Sequence, residues 1–302
     1  MNKMEKGIII IGAGDPYYGR LAINNAASIR SHDANIPILI YTTAGCIPSS
    51  VMETVHKSNI TIDLLPEESY IAEGKVNYFR PKTYLYALSP FEKTICLDAD
   101  MLWLPSIKPE RVFKELEGSK FSCSNEGFVD VKTGVSNTTR WYQFWADYDE
   151  IIGAYGVRLK EKFYQLRTEF IYFEKCKEAK RLFGVAQKIY DEKKLSYSSI
   201  AGVVPDELAF NIASSVLGLY PHKDRWCPAY WWFRRYMMRE GNMNVFEIQF
   251  KFPLLSIGGN KQQEYVLTFY NQRAEGYTKK IGLRGYKAIH NKAEVLPERK
   301  RI

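Results

Sequence analysis

Two carboxylates separated by one residue are the clearest chemical feature of the sequence. Asp98 and Asp100 follow Ile95-Cys96-Leu97, a short apolar run of the kind that forms a buried strand. Carboxylate oxygens are ligands that Mg²⁺ and Mn²⁺ prefer, and proteins commonly share these ions with substrate phosphates. The pair therefore predicts half of a metal shell, although an Asp-x-Asp is also common in solvated turns and at helix caps.

The strand that carries these carboxylates belongs to an alternation of strands and helices. Apolar runs predict strands over 7–11, 36–42, 60–65 and 94–97, and helical patterns cover 20–31 and 82–88. This order is typical of an α/β fold with a mostly parallel central sheet flanked by helices, in which ligands bind beyond the carboxyl ends of the strands. Asp15 and Asp98 both follow such ends, so we expect them to converge on one site.

The second half of the sequence is less regular. Residues 163–174 have the pattern of a strand, and residues 179–192 and 206–217 have helical patterns, the last beginning after Pro205. From Trp226 to Tyr286 the sequence is rich in aromatic residues and weakly periodic. No internal repeat or low-complexity linker divides the chain, which favours a single domain.

The length, composition, cysteine content and net charge of the sequence limit the kinds of protein that it can be. The 302 residues, 46% hydrophobic and 25% charged, are enough for a substantial core. Residues 1–6, which include Lys3, Glu5 and Lys6, precede only a short apolar run, so we expect a soluble, cytoplasmic protein without a membrane span. Five scattered cysteines without a CxxC pair predict neither a disulfide framework nor a zinc site. The net charge of +8 favours an anionic partner: a nucleotide sugar, a nucleic acid or a membrane surface.

The segment from Lys82 to Asp100 resembles the glycogenin-type family of GT-A glycosyltransferases. In that family a Lys or Arg opens the helix before the D-x-D strand, with the spacing found here between Lys82 and Asp98. The resemblance implies a GT-A fold, a nucleoside-diphosphate sugar as donor, typically a UDP-sugar, and Mn²⁺ or Mg²⁺ on Asp98 and Asp100. It also implies that Lys82 contacts the donor.

Further landmarks follow in the family's order. Asp15-Pro16-Tyr17 is similar to the strand-end D-x-Y whose tyrosine packs on a uracil-type base. Pro205-Asp206-Glu207 resembles the start of the D-Q-x-x-L-N helix, with Glu207 in place of Gln. Asp206 and Glu207 are therefore our candidate catalytic residues, although both types also serve as helix caps and dipole partners.

Near the end of the sequence, Ala288-Ile289-His290 resembles the H-x-x-G-x-x-K-P element whose histidine completes the metal shell. Ala293 and Leu296 depart from that pattern, so Lys292 or Lys287 is expected to take the phosphate-binding role. Another departure is Leu166-Arg167-Thr168-Glu169, which stands where the family has Asn-Ser/Ala-Gly. The floor beneath the donor sugar is therefore expected to be remodelled.

A rival interpretation comes from Gly12-Ala13-Gly14, because a glycine-rich turn after a first strand can bind a pyrophosphate. The dinucleotide-binding fingerprint is incomplete here. Its third glycine is misplaced, and the second strand ends in Ile40-Tyr41-Thr42 without the acidic residue that binds a ribose. The sequence thus argues against an oxidoreductase.

A different class of function is indicated by an aromatic and basic cluster. Trp231, Trp232, Arg234 and Arg235 have the chemistry to stack on bases and bind phosphates, as in a non-catalytic nucleic-acid-binding protein. A place in the core or over a sugar pocket is the more usual one for large aromatic side chains and is the favoured alternative. Combined with the donor site, the four residues predict an acceptor surface, and DNA with a modified base, as in bacteriophage genome modification, is one acceptor. A base in duplex DNA would then have to be flipped out.

Together these features predict one GT-A domain over residues 1–302. Residues 1–125 would form the half that binds the nucleotide sugar, and residues 126–302 the acceptor-binding half, with an aromatic and basic insertion at about 226–286. The predicted reaction moves a sugar to a hydroxyl of DNA, of a saccharide or of a protein. Front-face attack with retention of configuration and inversion with Asp206 or Glu207 as general base both remain open.

Overall fold

The computed structural model describes residues 4–138, 146–192, 194–195, 205–230, 244–257, 264–284 and 286. The strands are β1 (Met4–Gly12), β2 (Ile38–Thr42), β3 (Ile60–Leu64), β4 (Ile71–Ala72), β5 (Lys75–Val76), β6 (Phe91–Asp98), β7 (Met101–Trp103), β8 (Phe121–Asp130), β9 (Lys162–Glu174), β10 (Ala229–Tyr230) and β11 (Leu254–Ser256). The α-helices are α1 (Pro16–His32), α2 (Ser49–Lys57), α3 (Glu67–Tyr70), α4 (Leu85–Leu88), α5 (Pro109–Leu116), α6 (Tyr148–Tyr155), α7 (Lys177–Glu192), α8 (Glu207–Leu217), α9 (Val245–Lys251) and α10 (Glu264–Lys280). Turns of 3₁₀ helix cover Arg80–Tyr84 and Gly156–Arg158.

The main sheet has six strands in the order β3-β2-β1-β6-β9-β8. β1 pairs with β2 and β2 with β3 in parallel, whereas β8 and β9 are antiparallel. A three-stranded sheet has the order β10-β11-β7, and β4 and β5 form a hairpin. The predicted α/β fold with a mostly parallel central sheet and flanking helices is confirmed. The strands expected at 7–11, 36–42, 60–65, 94–97 and 163–174 all exist, most with shifted ends.

Close packing of α1 on β1 explains the glycines after the first strand. A Cβ on Gly12 would lie 2.5 Å from the Cβ of Ala22, and one on Gly19 would lie 2.1 Å from the carbonyl oxygen of Cys46. Both distances are far below van der Waals contact, so only glycine fits at these two positions. Gly12 and Gly19 therefore have a packing role in this fold.

The internal contacts divide the chain into two compact units, each assembled from three segments. The first unit comprises Met1–Lys6, Pro66–Cys96 and Leu116–Cys227, and the second comprises Gly7–Leu65, Leu97–Glu115 and Pro228–Ile302. The predicted halves, residues 1–125 for the nucleotide sugar and residues 126–302 for the acceptor, are defined by the ligands they would bind. That division stays a prediction. No helix within the described residues has both the length and the apolar character that a membrane crossing requires.

His32, in the last turn of α1, predicts a pH dependence of stability. Its Nε2 lies 3.2 Å from the hydroxyl of Tyr277. Burial, followed by the positive charges of Lys280 and Arg273, lowers the pKa of His32. The unfolded chain therefore takes up this proton before the folded chain does, and stability is lost as the pH falls below the ordinary histidine range.

We expect the urea midpoint to fall between pH 7.5 and pH 5.5, and to fall less in His32→Gln. His56→Gln, at an exposed position on α2, is the matched control and should keep the full dependence. An equal loss of midpoint in the wild type and His32→Gln would contradict the assignment.

Candidate active site

The predicted metal carboxylates lie where the chain leaves the main sheet. β6 ends at Asp98, and β7, which begins at Met101, pairs with β11 in the smaller sheet. The residues before Asp98 are buried, whereas Asp98 and Asp100 are half-buried. The strand thus supplies a rigid base from which both side chains emerge, as the sequence predicted.

Both aspartates are held through their backbones within the second unit. The amide Nδ2 of Asn25 donates to the carbonyl oxygen of Asp98 at 2.9 Å, and the backbone N–H of Ile257 donates to that of Asp100 at 3.0 Å. Both of these hydrogen bonds use the backbone carbonyl oxygens and not the side-chain carboxylates. A pair of carboxylates on a fixed backbone fits the oxygen-rich, partly water-filled shell that Mg²⁺ and Mn²⁺ take.

Tyr17 lies in the first turn of α1, which follows β1, and is close enough to Asp100, which follows β6, to be affected by its charge. Asp15 is the N-cap of α1: its side chain accepts a hydrogen bond from the backbone N–H of Tyr17 at 2.7 Å, and Pro16 occupies the first turn. Burial, followed by the negative charge of Asp100, raises the pKa of Tyr17. The charges of Asp100 and Asp15 therefore both act on the Tyr17 phenol, and the convergence of Asp15 and Asp98 on one site stays a prediction.

The predicted base-stacking residue is more buried than its neighbour. Tyr17 is 7% exposed, whereas Tyr18 is 37% exposed. The two rings meet edge to face, with centroids 5.3 Å apart. Tyr18 thus offers the larger accessible ring, a residue that the D-x-Y resemblance did not select because that pattern names only the tyrosine after Asp-x.

The first unit contains a buried ion pair between two predicted site residues. Lys82 Nζ lies 3.8 Å from Asp206 Oδ2 and donates to Thr168 Oγ1 at 3.3 Å. Asp206 precedes α8 but makes no side-chain capping bond, so the helix-cap alternative does not explain it. Lys82 and Asp206 are both nearly inaccessible to solvent. The structure thus brings these two residues together, 124 positions apart in the sequence.

Glu207, the second candidate catalytic residue, belongs to another charge cluster. Arg167 donates from Nε to Glu126 and from Nη1 to Glu207 Oε2, the latter at 3.0 Å. Burial lowers the pKa of Arg167, but the charges of Glu207 and Glu126 outweigh it and raise the value overall. One carboxylate oxygen of Glu207 is therefore ion-paired with the buried guanidinium of Arg167.

Irregular pairing of β8 and β9 creates this cluster. Cys123 is opposite Ile171 and Ser124 is opposite Arg167, so three residues of β9 bulge out at this point. A second irregularity lies between Asn125 and Phe128 and contains Glu126. Farther on, the Asn211 side chain of α8 accepts from the backbone N–H of Leu166 at 3.0 Å. The segment 166–169 thus contains an arginine that is ion-paired with Glu126 and Glu207, and its expected role as a remodelled floor beneath the donor sugar stays a prediction.

Several predicted residues lie outside the part of the chain that the structure describes. These are His290 of the metal shell, Lys292 of the phosphate site, and Trp231, Trp232, Arg234 and Arg235 of the acceptor surface. Over the described ranges, no three His, Cys, Asp or Glu side chains form a group suited to a metal ion. The metal-ligand roles of Asp98, Asp100 and His290 therefore stay predictions.

Asn25 and Glu126 are residues near the candidate site that the sequence did not single out, and Arg167 and Thr168 were noted only as a departure from the family pattern, without the ion pair and hydrogen bond that they make. Polar and charged side chains are usually exposed, so a one-dimensional pattern places them at the surface. The available signal was local: Asn24-Asn25 and Ser28 interrupt an apolar helix face, and Arg167-Thr168-Glu169 interrupts an apolar strand. Their partners are distant in sequence, and no spacing rule reveals them.

No protein-family model and no curated protein matches the sequence. Among solved structures, the chain is similar to the bifunctional glycosyltransferase WbbM, with a TM-score of 0.58 and 12% identity over 95% of this chain and 51% of that one. The chain thus spans about half of WbbM's length.

The galactosyltransferase LgtC, in complex with donor and acceptor sugar analogues, gives a TM-score of 0.51 and 12% identity over 92% of this chain and 96% of that one. An active-site glutamine-to-glutamate mutant of LgtC gives a TM-score of 0.51 and 10% identity, with 91% and 95% of the two chains covered. Such low identities establish architecture rather than activity. The chain has the GT-A glycosyltransferase fold.

Proposed function

We propose that the protein is a divalent-metal-dependent glycosyltransferase that moves a sugar from a nucleoside-diphosphate sugar, a UDP-sugar, to a hydroxyl acceptor. The observation that carries this proposal is the position of Asp98 at the end of β6, with Asp100 two residues later close enough to Tyr17 to raise its pKa, in a GT-A fold. Ligand sites of open α/β sheets lie at such ends. LgtC, crystallised with donor and acceptor sugar analogues, supports sugar transfer as the activity.

The residues present fit a divalent cation. Asp98 and Asp100 offer hard oxygen ligands on a backbone that Asn25 and Ile257 hold in place. His290 is proposed as a third ligand, since neutral imidazole is compatible with Mn²⁺. Mn²⁺ or Mg²⁺ bound there would neutralise negative charge on the departing nucleoside diphosphate.

The protein's own side chains have binding and orienting roles in this proposal. Tyr17 and the more exposed Tyr18 form an aromatic edge for the base, and Asp15 fixes their helix start. Lys82, held between Thr168 and Asp206, is proposed to contact the donor, and Lys292 to bind its phosphates. These two lysines contribute positive charge for the diphosphate.

Asp206 and Glu207 are proposed to orient donor or acceptor hydroxyls. Each is already engaged by a cation, Asp206 by Lys82 and Glu207 by Arg167. A carboxylate that is held by a cation keeps a fixed direction, which suits hydrogen bonding to a hydroxyl more than removal of its proton. We therefore favour front-face transfer with retention, which is tested by the anomeric configuration of the product.

The test is a panel of nucleotide sugars incubated with the protein and Mn²⁺, scored by release of the nucleoside diphosphate. We expect one UDP-sugar to be turned over, and we expect EDTA to abolish release and excess Mn²⁺ to restore it. Heat-inactivated protein is the control for spontaneous hydrolysis. Turnover that persists in EDTA would exclude the metal, and no release from any nucleotide sugar would exclude the transferase.

The acceptor is tested with the same readout once a donor is found. The arms are simple saccharides, a protein hydroxyl and DNA that contains a hydroxymethylated base, the acceptor for which the residues 231, 232, 234 and 235 were singled out. DNA is included because aromatic rings can stack on its bases and arginines can bind its phosphates. DNA binding that weakens with salt, in the absence of any diphosphate release, would instead support a non-catalytic nucleic-acid-binding protein.

A further inference from the structure

The chain changes sheets at the carboxylate pair, and this creates a local problem for its backbone. β6 belongs to the six-stranded sheet and ends at Asp98, whereas β7 belongs to the three-stranded sheet and begins at Met101. Where a chain passes from one sheet to another, its backbone groups no longer form hydrogen bonds with the first sheet and do not yet form them with the second. Buried N–H and C=O groups are costly without partners, so other groups must supply the hydrogen bonds.

Side chains of α1 supply them. Asn25 Nδ2 donates to the carbonyl oxygen of Asp98 at 2.9 Å. Ser28 Oγ accepts from the backbone N–H of Trp103 at 2.7 Å and donates to the carbonyl oxygen of Asn25 at 2.6 Å. One buried stripe of the helix therefore holds the crossing segment at both ends, at Asp98 and at Trp103.

The burial of Asn25 indicates that this bond matters. Asn25 is 0% exposed, on a helix whose other buried positions are mostly apolar. Asparagine is a poor helix former, and burying its amide is unfavourable unless hydrogen bonds compensate. A leucine, which has the same branched shape without polar atoms, would suit a buried helix face better, so the Nδ2 donor is best explained by the carbonyl that it binds.

We propose that Asn25 is a positioning residue of the metal site, an inference that rests on the proposed function. By holding the carbonyl of Asp98 against α1, Asn25 sets the direction in which the Asp98 side chain leaves the strand. Ile257 holds Asp100 in the same way through its backbone N–H. In this proposal the two bonds fix the backbone from which both carboxylates leave, and groups that orient metal ligands strongly affect metal affinity.

The test measures Mn²⁺ affinity directly, by electron paramagnetic resonance of free Mn²⁺ titrated with the full-length protein and UDP. In Asn25→Leu we expect the apparent Kd for Mn²⁺ to rise about tenfold or more, which is the usual effect of losing an orienting partner. Binding of UDP without metal should stay unchanged, a readout that a general loss of structure would move. Thermal unfolding and circular dichroism establish that the variant is folded.

Asn24→Leu is the matched control, because Asn24 is the adjacent residue, is equally buried, and lies beside Tyr270 of α10. Its Mn²⁺ affinity should stay within about twofold of the wild type, well below the effect expected at Asn25. An equal weakening in both variants would overturn the proposal, since it would indicate loosening of α1 as a whole. If Asn25→Leu does not fold, Asn25→Ser, whose hydroxyl is too short to reach the carbonyl, carries the same expectation.

The double variant Asp98→Asn, Asp100→Asn separates this inference from the proposed function. If that variant binds Mn²⁺ as the wild type does, the metal site itself is wrong. If it loses Mn²⁺ while Asn25→Leu and Asn25→Ser keep wild-type affinity, the metal site stands and the role of Asn25 is overturned.

Discussion

Replacing Asp98 and Asp100 together by asparagine is expected to lower metal-dependent turnover of the UDP-sugar by about a thousandfold or more, equivalent to about 4 kcal/mol of activation free energy. Asparagine keeps the shape of each side chain but removes the charge that attracts a divalent ion. The fold should survive, because Asn25 and Ile257 bind the backbone carbonyls rather than the carboxylates.

The measurement is kcat/KM for diphosphate release over a range of Mn²⁺ concentrations. Asp63→Asn, an exposed position on β3, is the matched control and should keep wild-type kinetics. A shift in the Mn²⁺ concentration needed for half-maximal rate, with a smaller change in the limiting rate, is expected for each single variant. Wild-type activity in the double variant would remove both aspartates from the proposed chemistry.

The prediction of the fold succeeded because the signal is local and repeated. Continuous apolar runs such as Ile8–Ile10 and Ile38–Ile40 are buried on both faces of a sheet, and that burial is visible in the sequence itself. The position of Asp98 at a strand end followed from the same pattern. Strand order and the change of sheet at Met101 did not follow, since they depend on pairing between distant segments.

The candidate site was predictable only in part, for the same physical reason. Asp98 and Asp100 are only two positions apart in the sequence, so the pattern is visible without knowledge of any distant partner. Lys82 and Asp206 form an ion pair although they are far apart in the sequence, so no local pattern reveals the contact. From the sequence alone, Asp206 could be either a helix cap or a functional residue. The missing capping bond decides against the cap, a distinction that requires side-chain coordinates.

Arg167→Met is expected to lower the free energy of unfolding by about 3–5 kcal/mol, the usual cost of removing one partner from a buried ion pair. Arg167 is 8% exposed and Glu126 is 5% exposed, so little water would reach the carboxylates left behind. Methionine keeps the unbranched stem of the side chain, which limits the contribution of lost packing. The measurement is urea unfolding followed by circular dichroism.

Arg181→Met, on an exposed face of α7, is the matched control and should change stability by no more than about 0.5 kcal/mol. Arg167→Lys tests whether charge alone suffices. A lysine ammonium has no planar fork with which to meet Glu126 and Glu207 at their present positions, so we expect an intermediate loss.

The origin of the loss is tested by neutralising the stranded carboxylates. If Arg167→Met is destabilising because it leaves two buried charges, then adding Glu126→Gln and Glu207→Gln should recover more than half of the lost stability, even though each glutamine alone is destabilising in the wild type. Cavity formation predicts the opposite, since the glutamines would return no packing volume and the three losses would add. Additive losses in the triple variant would therefore contradict a charge cluster centred on Arg167.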